Sequence, residues 1–209
     1  MAQHFVVHPT HPQLRLLAQA ARIVRDGGVI GYPTDSCYAI GCHTGDKAAM
    51  ERMRRIRQVD DRHHLTLMCR DLSEIAAFAR VDNAQYRLLK RLTPGSYTFI
   101  LEATRELPRR ILHPRRKTIG LRVPDHPVAH ALLAELGEPL LSATAILPAD
   151  EAPVSDGTEL RERLQHELDL VLDSGSCGTL PTTVIDLTGA QPEVLRVGKG
   201  PVDMLDQGH

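Results

Sequence analysis

Hydroxyl and arginine side chains recur in this chain at the ends of short apolar runs, a combination suited to binding polyphosphate or carboxylate. In Gly31 to Gly41, GYPTDSCYAIG, a strand runs into Pro-Thr-Asp-Ser and exposes Thr34 and Asp35 at its end, where open α/β sheets bind ligands. An ordinary turn with Asp35 capping the next segment accounts for the same residues. Arg54-Arg55-Ile56-Arg57 closes a helical pattern. Arg55 and Arg57 lie two apart, so a continuing helix aims them about 200° from each other. Both can face one ligand only if the helix ends there; a solvated basic face offsetting the helix dipole is the competing account. In Lys117 to Pro124, strict alternation puts Thr118, Gly120 and Arg122 on one face and Ile119, Leu121 and Val123 on the other. An Arg beside a Gly lets an anion come close, and pairing of that Arg with an acid is the alternative. Ser142 and Thr144, then Thr182 and Thr183, place further hydroxyls at strand ends, and the tail adds Arg196.

Several chemistries are excluded. Neither GxxxxGK[ST] nor GxGxxG occurs, so the usual phosphate cradles are absent. No GxSxG elbow or Cys-His signature supports covalent hydrolysis. Cys37, Cys42, Cys69 and Cys177 form no CxxC pair and no zinc-ribbon spacing, so buried free thiols are expected. The adjacent His63-His64 pair has no acidic or Cys partner at ligand spacing and reads as part of a polar loop; no protein metal site is expected. With 42% hydrophobic residues the chain is not disordered, and no stretch is long and apolar enough to span a membrane. MAQHFVVHPTHPQ has no basic head before an apolar run, so no export signal and a cytoplasmic location are expected. Trp is absent and aromatic residues make up 3%, which calls for an aliphatic core and argues against a stacking-based reader of single strands.

The formal net charge of −1 hides a strong segregation. Arg52 to Arg122 carries fifteen Arg and two Lys against seven acids, a balance of +10. Asp125 to Asp173 carries eleven acids against two Arg, a balance of −9. The two segments either cover each other or make a basic cleft with an acidic back.

The elements that must hold these groups follow from periodicity. The 3, 4 spacing of Leu16, Leu17, Ala20, Ile23 and Val24 predicts a helix over Pro12 to Asp26, ended by Gly27-Gly28. Further helices are expected over Asp46 to Arg57, Leu72 to Phe78, Asn83 to Leu92, His126 to Leu136 and Thr158 to Glu167, with a short basic helix at Arg109 to Leu112. Strands are expected over Val29 to Tyr32, Leu65 to Cys69, Tyr97 to Glu102, Thr118 to Val123, Pro139 to Ala145, Leu168 to Leu172, Thr183 to Leu187 and Val194 to Val197. Helices alternating with strands predict an α/β fold with a mixed or parallel sheet. No linker or repeat divides the chain, so one domain over 1–209 is expected, and Leu147 to Gly157 reads as a mobile flap.

In this order, and over nearly the whole chain, the segments resemble the YrdC/YciO family of threonylcarbamoyl-AMP synthase-like proteins. YPTDSCYAIG resembles the family's YPTDTxYGLG, and PGSYTFIL (Pro94 to Leu101) its PGPxTxIL. TIGLRVPDHP (Thr118 to Pro127) and PTTVIDL (Pro181 to Leu187) are similar to VGVRxPxHP and PSTVVD. RIRQ followed by a longer loop and TLMCRDLSE (Thr66 to Glu74) resembles the YciO branch. The resemblance implies a twisted mixed sheet with flanking helices around an open basic cavity. It implies condensation of threonine, bicarbonate and ATP to threonylcarbamoyl-AMP with release of pyrophosphate, the first step of the t6A modification of tRNA. Thr34, Arg122, Ser142 and Thr182 would hold threonine or its carbamate. Arg57, Thr118, Thr144 and Arg196 would face ATP, with Arg55, Arg57 and Thr144 in the catalytic positions and Mg²⁺ carried mainly by ATP and water. It also implies binding of RNA, whether tRNA, rRNA or double-stranded RNA. Departures are visible: Lys-x-Arg reads Arg55-Ile56-Arg57, Ser-x-Asn reads Thr144-Ala145-Ile146, and the His ending PLIVH is Cys69. A non-catalytic RNA or ribonucleoprotein binder and a hydrolase of the adenylate are the alternatives.

Overall fold

The computed structural model describes residues 1–60, 65–148 and 150–203. His63-His64 therefore lies outside the described residues. Ten strands form one mixed sheet: β1 (Gln3–Val6), β2 (Ile30–Tyr32), β3 (Ala39–His43), β4 (Thr66–Met68), β5 (Tyr97–Glu102), β6 (Thr118–Arg122), β7 (Leu140–Thr144), β8 (Leu170–Asp173), β9 (Thr183–Asp186) and β10 (Glu193–Arg196). Their order is β1-β8-β2-β3-β7-β4-β6-β5-β9-β10. The β1–β8, β2–β8, β4–β6 and β5–β9 pairs are parallel, and the other five are antiparallel. The expected α/β class and mixed sheet are observed. β1 and β3 have no counterpart among the predicted strands, and β8 begins two residues later than expected.

Among the described residues six helices flank the sheet: α1 (Leu14–Arg25), α2 (Lys47–Arg57), α3 (Leu72–Phe78), α4 (Asn83–Leu92), α5 (Pro127–Leu136) and α6 (Gly157–Leu164). Local chemistry sets their ends. Asp46 caps α2 by accepting the Ala49 amide at 2.8 Å, and Asp82 and Gln85 form a reciprocal capping box on α4. Gly27, at φ 87°, turns the chain after α1, a conformation a side chain would strain.

Two apolar layers result. On one face, α1 and α5 pack Leu17, Ala21, Val24, Leu132 and Leu136 against Ile30, Tyr32, Leu140, Leu170 and Leu172. On the other, α2, α3, α4 and α6 cover Ile40, Leu67, Phe99, Leu121, Leu141 and Ile185. The layer under α1 and α5 contains no residue of β5, β6, β9 or β10. That half of the face is left without a helical cover, and there the inward positions change from aliphatic to hydroxyl, glycine and arginine.

In the segment Leu147 to Gly157, expected as a mobile flap, Val154 is anchored beside the sheet. The Val154 amide donates to Ala145 O at 2.9 Å, Val154 O accepts from the Tyr38 amide at 3.2 Å, and Val154 is buried.

Candidate functional site

The uncovered half-face forms a cavity of about 340 Å³. Period-two alternation builds it, because one residue in two along each strand points to this side. Thr66 and Met68 of β4, Gly120 and Arg122 of β6, Ser142 and Thr144 of β7, and Thr98 and Ile100 of β5 line it. Thr182, Val184, Leu195 and Arg196 close one side, while Arg57 and Ile146 close another. The register sets Gly120 opposite both Thr66 and Ile100. A Cβ added at Gly120 would lie 3.2–3.3 Å from Thr98 Cγ2, Leu65 O and Thr66 Oγ1, so backbone itself forms the floor there.

At one end, Arg122 is 6% exposed and paired with Asp35, the acid partner that the sequence left as an alternative. Its Nη1 also donates to Ser36 Oγ at 3.1 Å. Burial alone raises the Asp35 pKa, but Arg122, the Ser96 hydroxyl and the Asp125 amide outweigh it and hold the carboxyl below the usual range. Ser142 Oγ donates to Ile40 O at 3.3 Å and stands 2.6 Å from Tyr32 Oη, which makes the tyrosine the donor of that bond. Burial drives the Tyr32 pKa upward, so its proton stays in place. Thr182 Oγ1 is 2.8 Å from Thr98 Oγ1.

At the other end, Arg57 and Arg196 line the cavity with Thr144, near enough for the charge of Arg196 to act on Arg57. Arg57 donates through Nη1 to Ile146 O, and Arg196 clamps Thr182 O through Nε at 3.1 Å and Nη2 at 2.9 Å. Neither forms an ion pair among the described residues. Burial lowers the Arg57 pKa, opposed by Cys37 and reinforced by the charge of Arg196. Both guanidiniums remain protonated in any ordinary buffer. Two arginines of the cavity, Arg57 and Arg122, have a buried Nε with no hydrogen-bond partner among the described residues. A buried donor left unpaired costs about 1–3 kcal/mol, which an acceptor on a ligand would recover.

The residues singled out from sequence divide accordingly. Arg57, Arg122, Ser142, Thr144, Thr182 and Arg196 meet in the cavity. Arg55 does not: α2 ends at Arg57, Gln58 takes a left-handed conformation at φ 49°, and Arg55 points outward toward Glu167 at 3.8 Å. Thr34 is buried but spent on its own turn, where its Oγ1 donates to Cys37 O at 2.7 Å and accepts from the amides of Ser36 and Cys37. Thr118 is buried at the start of β6 opposite Glu102, one alternation step beyond the lining residue Gly120. Thr66, Thr98, Ile100 and Val184 were missed, although the alternation that marked β6 also runs through β4, β5 and β9. The four cysteines are free, three of them buried. Among the described residues no group of three His, Cys, Asp or Glu side chains could hold a metal, and no helix is long and apolar enough to cross a membrane.

Comparisons with known proteins place this geometry. The family model Sua5/YciO/YrdC, described as telomere recombination, matches residues 22–198. The protein YciO of Escherichia coli K12 is 56% identical over 202 residues, covering 97% of this chain and 98% of that one. A threonylcarbamoyl-AMP synthase of Chromobacterium violaceum is 38% identical over 138 residues, covering 66% and 71%. The crystal structure of E. coli YciO superposes with a TM-score of 0.95 at 55% identity, over 98% of this chain and 100% of that chain. Sua5 of P. abyssi complexed with L-threonine superposes with a TM-score of 0.89 at 23% identity, over 97% of this chain and 59% of the other, a likeness of fold.

Proposed function

The chain belongs to the Sua5/YciO/YrdC family, and from that footing we propose that its cavity holds threonine beside ATP and joins them, through bicarbonate, as threonylcarbamoyl-AMP. The observation that carries the proposal is a buried arginine Nε without a hydrogen-bond partner among the described residues at each end of the cavity, on Arg57 and on Arg122, with Arg57 and Arg196 lacking any carboxylate among the described residues. Such a site is built for oxygen anions supplied from outside. The P. abyssi relative complexed with L-threonine supports the amino acid as one ligand.

In this reading Arg122, Ser142 and Thr182 hold the threonine side, and Arg57, Thr144 and Arg196 receive the phosphates. Thr34 and Thr118 act from behind, through the turn after β2 and the start of β6, and Arg55 takes no part. The threonine amine takes up bicarbonate as a carbamate with loss of water. A carbamate oxygen then attacks the α-phosphorus while the bond to the pyrophosphate oxygen breaks. Arg57 and Arg196 offset the charge that gathers on phosphorus and on the leaving group, and positioning supplies the remaining gain. The donors at that end are guanidinium and hydroxyl, which suit phosphate oxygens rather than a metal, so Mg²⁺ would arrive on the nucleotide. Ile146 offers no side-chain donor where the synthase pattern has Asn, and the rate is expected to be below that of the synthases.

Isothermal titration with L-threonine and with ATP, followed by a pyrophosphate-release assay with all three substrates, tests the proposal. Both ligands are expected to bind and pyrophosphate to appear slowly. Binding of neither would end it, and AMP released from the adenylate without pyrophosphate would favour the hydrolase. A second reading, RNA binding, is favoured by one specific feature. Arg105, Arg109, Arg110, Arg115, Arg116 and Lys117 are all exposed on the connection from β5 to β6.

A further inference from the structure

Asp35 lies in the turn after β2 and does not line the cavity, yet both its oxygens act on residues around it. Oδ1 accepts from Arg122 Nη2 and from the Asp125 amide at 3.1 Å, and Oδ2 accepts from the Ser96 hydroxyl. Arg122 Nη1 is held separately by Ser36 at 3.1 Å. One edge of the guanidinium is thereby fastened to a single turn, and Nε is the donor left unpartnered. Lys199 Nζ donates to Asp35 O, which ties that turn to the segment after β10.

The pairing also sets the charge of the two ends. Asp35 neutralises Arg122, whereas Arg57 and Arg196 have no acidic partner among the described residues. One end suits a single carboxylate held by directed hydrogen bonds; the other suits a group carrying several negative charges.

We propose that Asp35 is a positioning residue: it aims Arg122 at the carboxylate of an amino acid and, by cancelling its charge, directs polyphosphate to the Arg57–Arg196 end. The inference rests on the cavity reading given above. The test is titration of the full chain with L-threonine and, separately, with inorganic pyrophosphate. Asp35→Asn is expected to bind threonine about tenfold or more weakly, the scale of a lost charge-assisted bond, while pyrophosphate binding stays within about threefold. Asp35→Glu is expected to recover most of the threonine affinity. Threonine bound by Asp35→Asn as tightly as by the wild type, or more tightly, would make Asp35 a passive counter-charge and overturn the inference. Equal loss of both ligands would overturn it too, as the mark of a structural role. Ser96→Ala removes only the bond to Oδ2 and decides the matter if Asp35→Asn does not fold, with the same selective loss of threonine at about threefold expected. A wild-type protein that binds neither ligand would instead fail the proposed function.

Discussion

At the residue scale, Ile146 is the position where the proposed chemistry is most exposed to trial. Its backbone carbonyl holds Arg57, and its side chain lines the cavity without offering a donor. Restoring the amide with Ile146→Asn is expected to raise the rate of pyrophosphate release. One hydrogen bond to a charged group contributes about 1.5–3 kcal/mol, on the order of tenfold to a hundredfold. An unchanged or lower rate would mean that this wall does not meet the phosphates. Arg196→Ala probes the same end from the other side: pyrophosphate affinity should fall about tenfold in a titration, with a smaller loss for threonine because Arg196 also holds Thr182 O. Arg196 could be singled out from the sequence because an Arg beside strand-end hydroxyls is a chemical signal that survives without coordinates, whereas Ile146 stood out only against the family pattern. Asp35 was visible as a strand-end carboxylate or a turn cap, but not as the partner of Arg122. Its ion pair joins positions 87 residues apart, and no local pattern announces a contact of that range.

At the element scale, the β1–β8 edge makes a second trial possible. Asp173, at the end of β8, accepts from His4 of β1 at 2.8 Å, from Thr158 of α6 at 3.1 Å and from the Gly175 amide at 2.8 Å. Burial pushes the Asp173 pKa up, but these donors outweigh it and the pKa lies below its ordinary value of 3.8. A carboxyl whose pKa is depressed by folding adds stability that is present above 3.8 and lost as pH falls through the folded value. Thermal melts should therefore show the wild type losing stability below about pH 4, with a shallower slope for Asp173→Asn. Equal slopes would remove Asp173 from the acid response. The helices were legible because their apolar spacing is long and their caps are local, as Asp46 and Asp82 illustrate. β1 and β3 were not. QHFV spans four residues with no buried alternation, and AIGCH is buried almost throughout, so neither offers a period to read. The cavity was only partly legible for a related reason. Its location depends on where α1 and α5 stop covering the sheet, which is a matter of tertiary packing.

At the scale of the whole molecule, the segregation of charge becomes a property of shape. The +10 and −9 segments meet along the β4–β7 pairing, and ion pairs join them where Arg52 pairs with Asp169 and Arg55 with Glu167. Among the described residues no other ion pair joins them, so the two segments do not cancel each other across their surfaces. Much of the basic excess stays exposed, and it is densest on the β5–β6 connection, just ahead of the strand that ends in Arg122. A polyanion there would release counterions, and the logarithm of its affinity would fall linearly with the logarithm of salt concentration. Binding to double-stranded RNA, measured by fluorescence anisotropy between low and physiological salt, is expected to show that steep fall. A variant with Arg105, Arg109 and Arg115 replaced by Ala should lower the slope by roughly two to three if all three contact phosphates, since each contact contributes somewhat less than one. Its threonine affinity should not change, because none of the three lines the cavity. A flat salt response in the wild type would reduce the exposed arginines to a solubilising surface and leave the cavity as the only functional reading. A slope untouched by the triple substitution would move the RNA contact to another part of the basic segment, with α4 and its exposed Arg87, Lys90 and Arg91 the next face to alter.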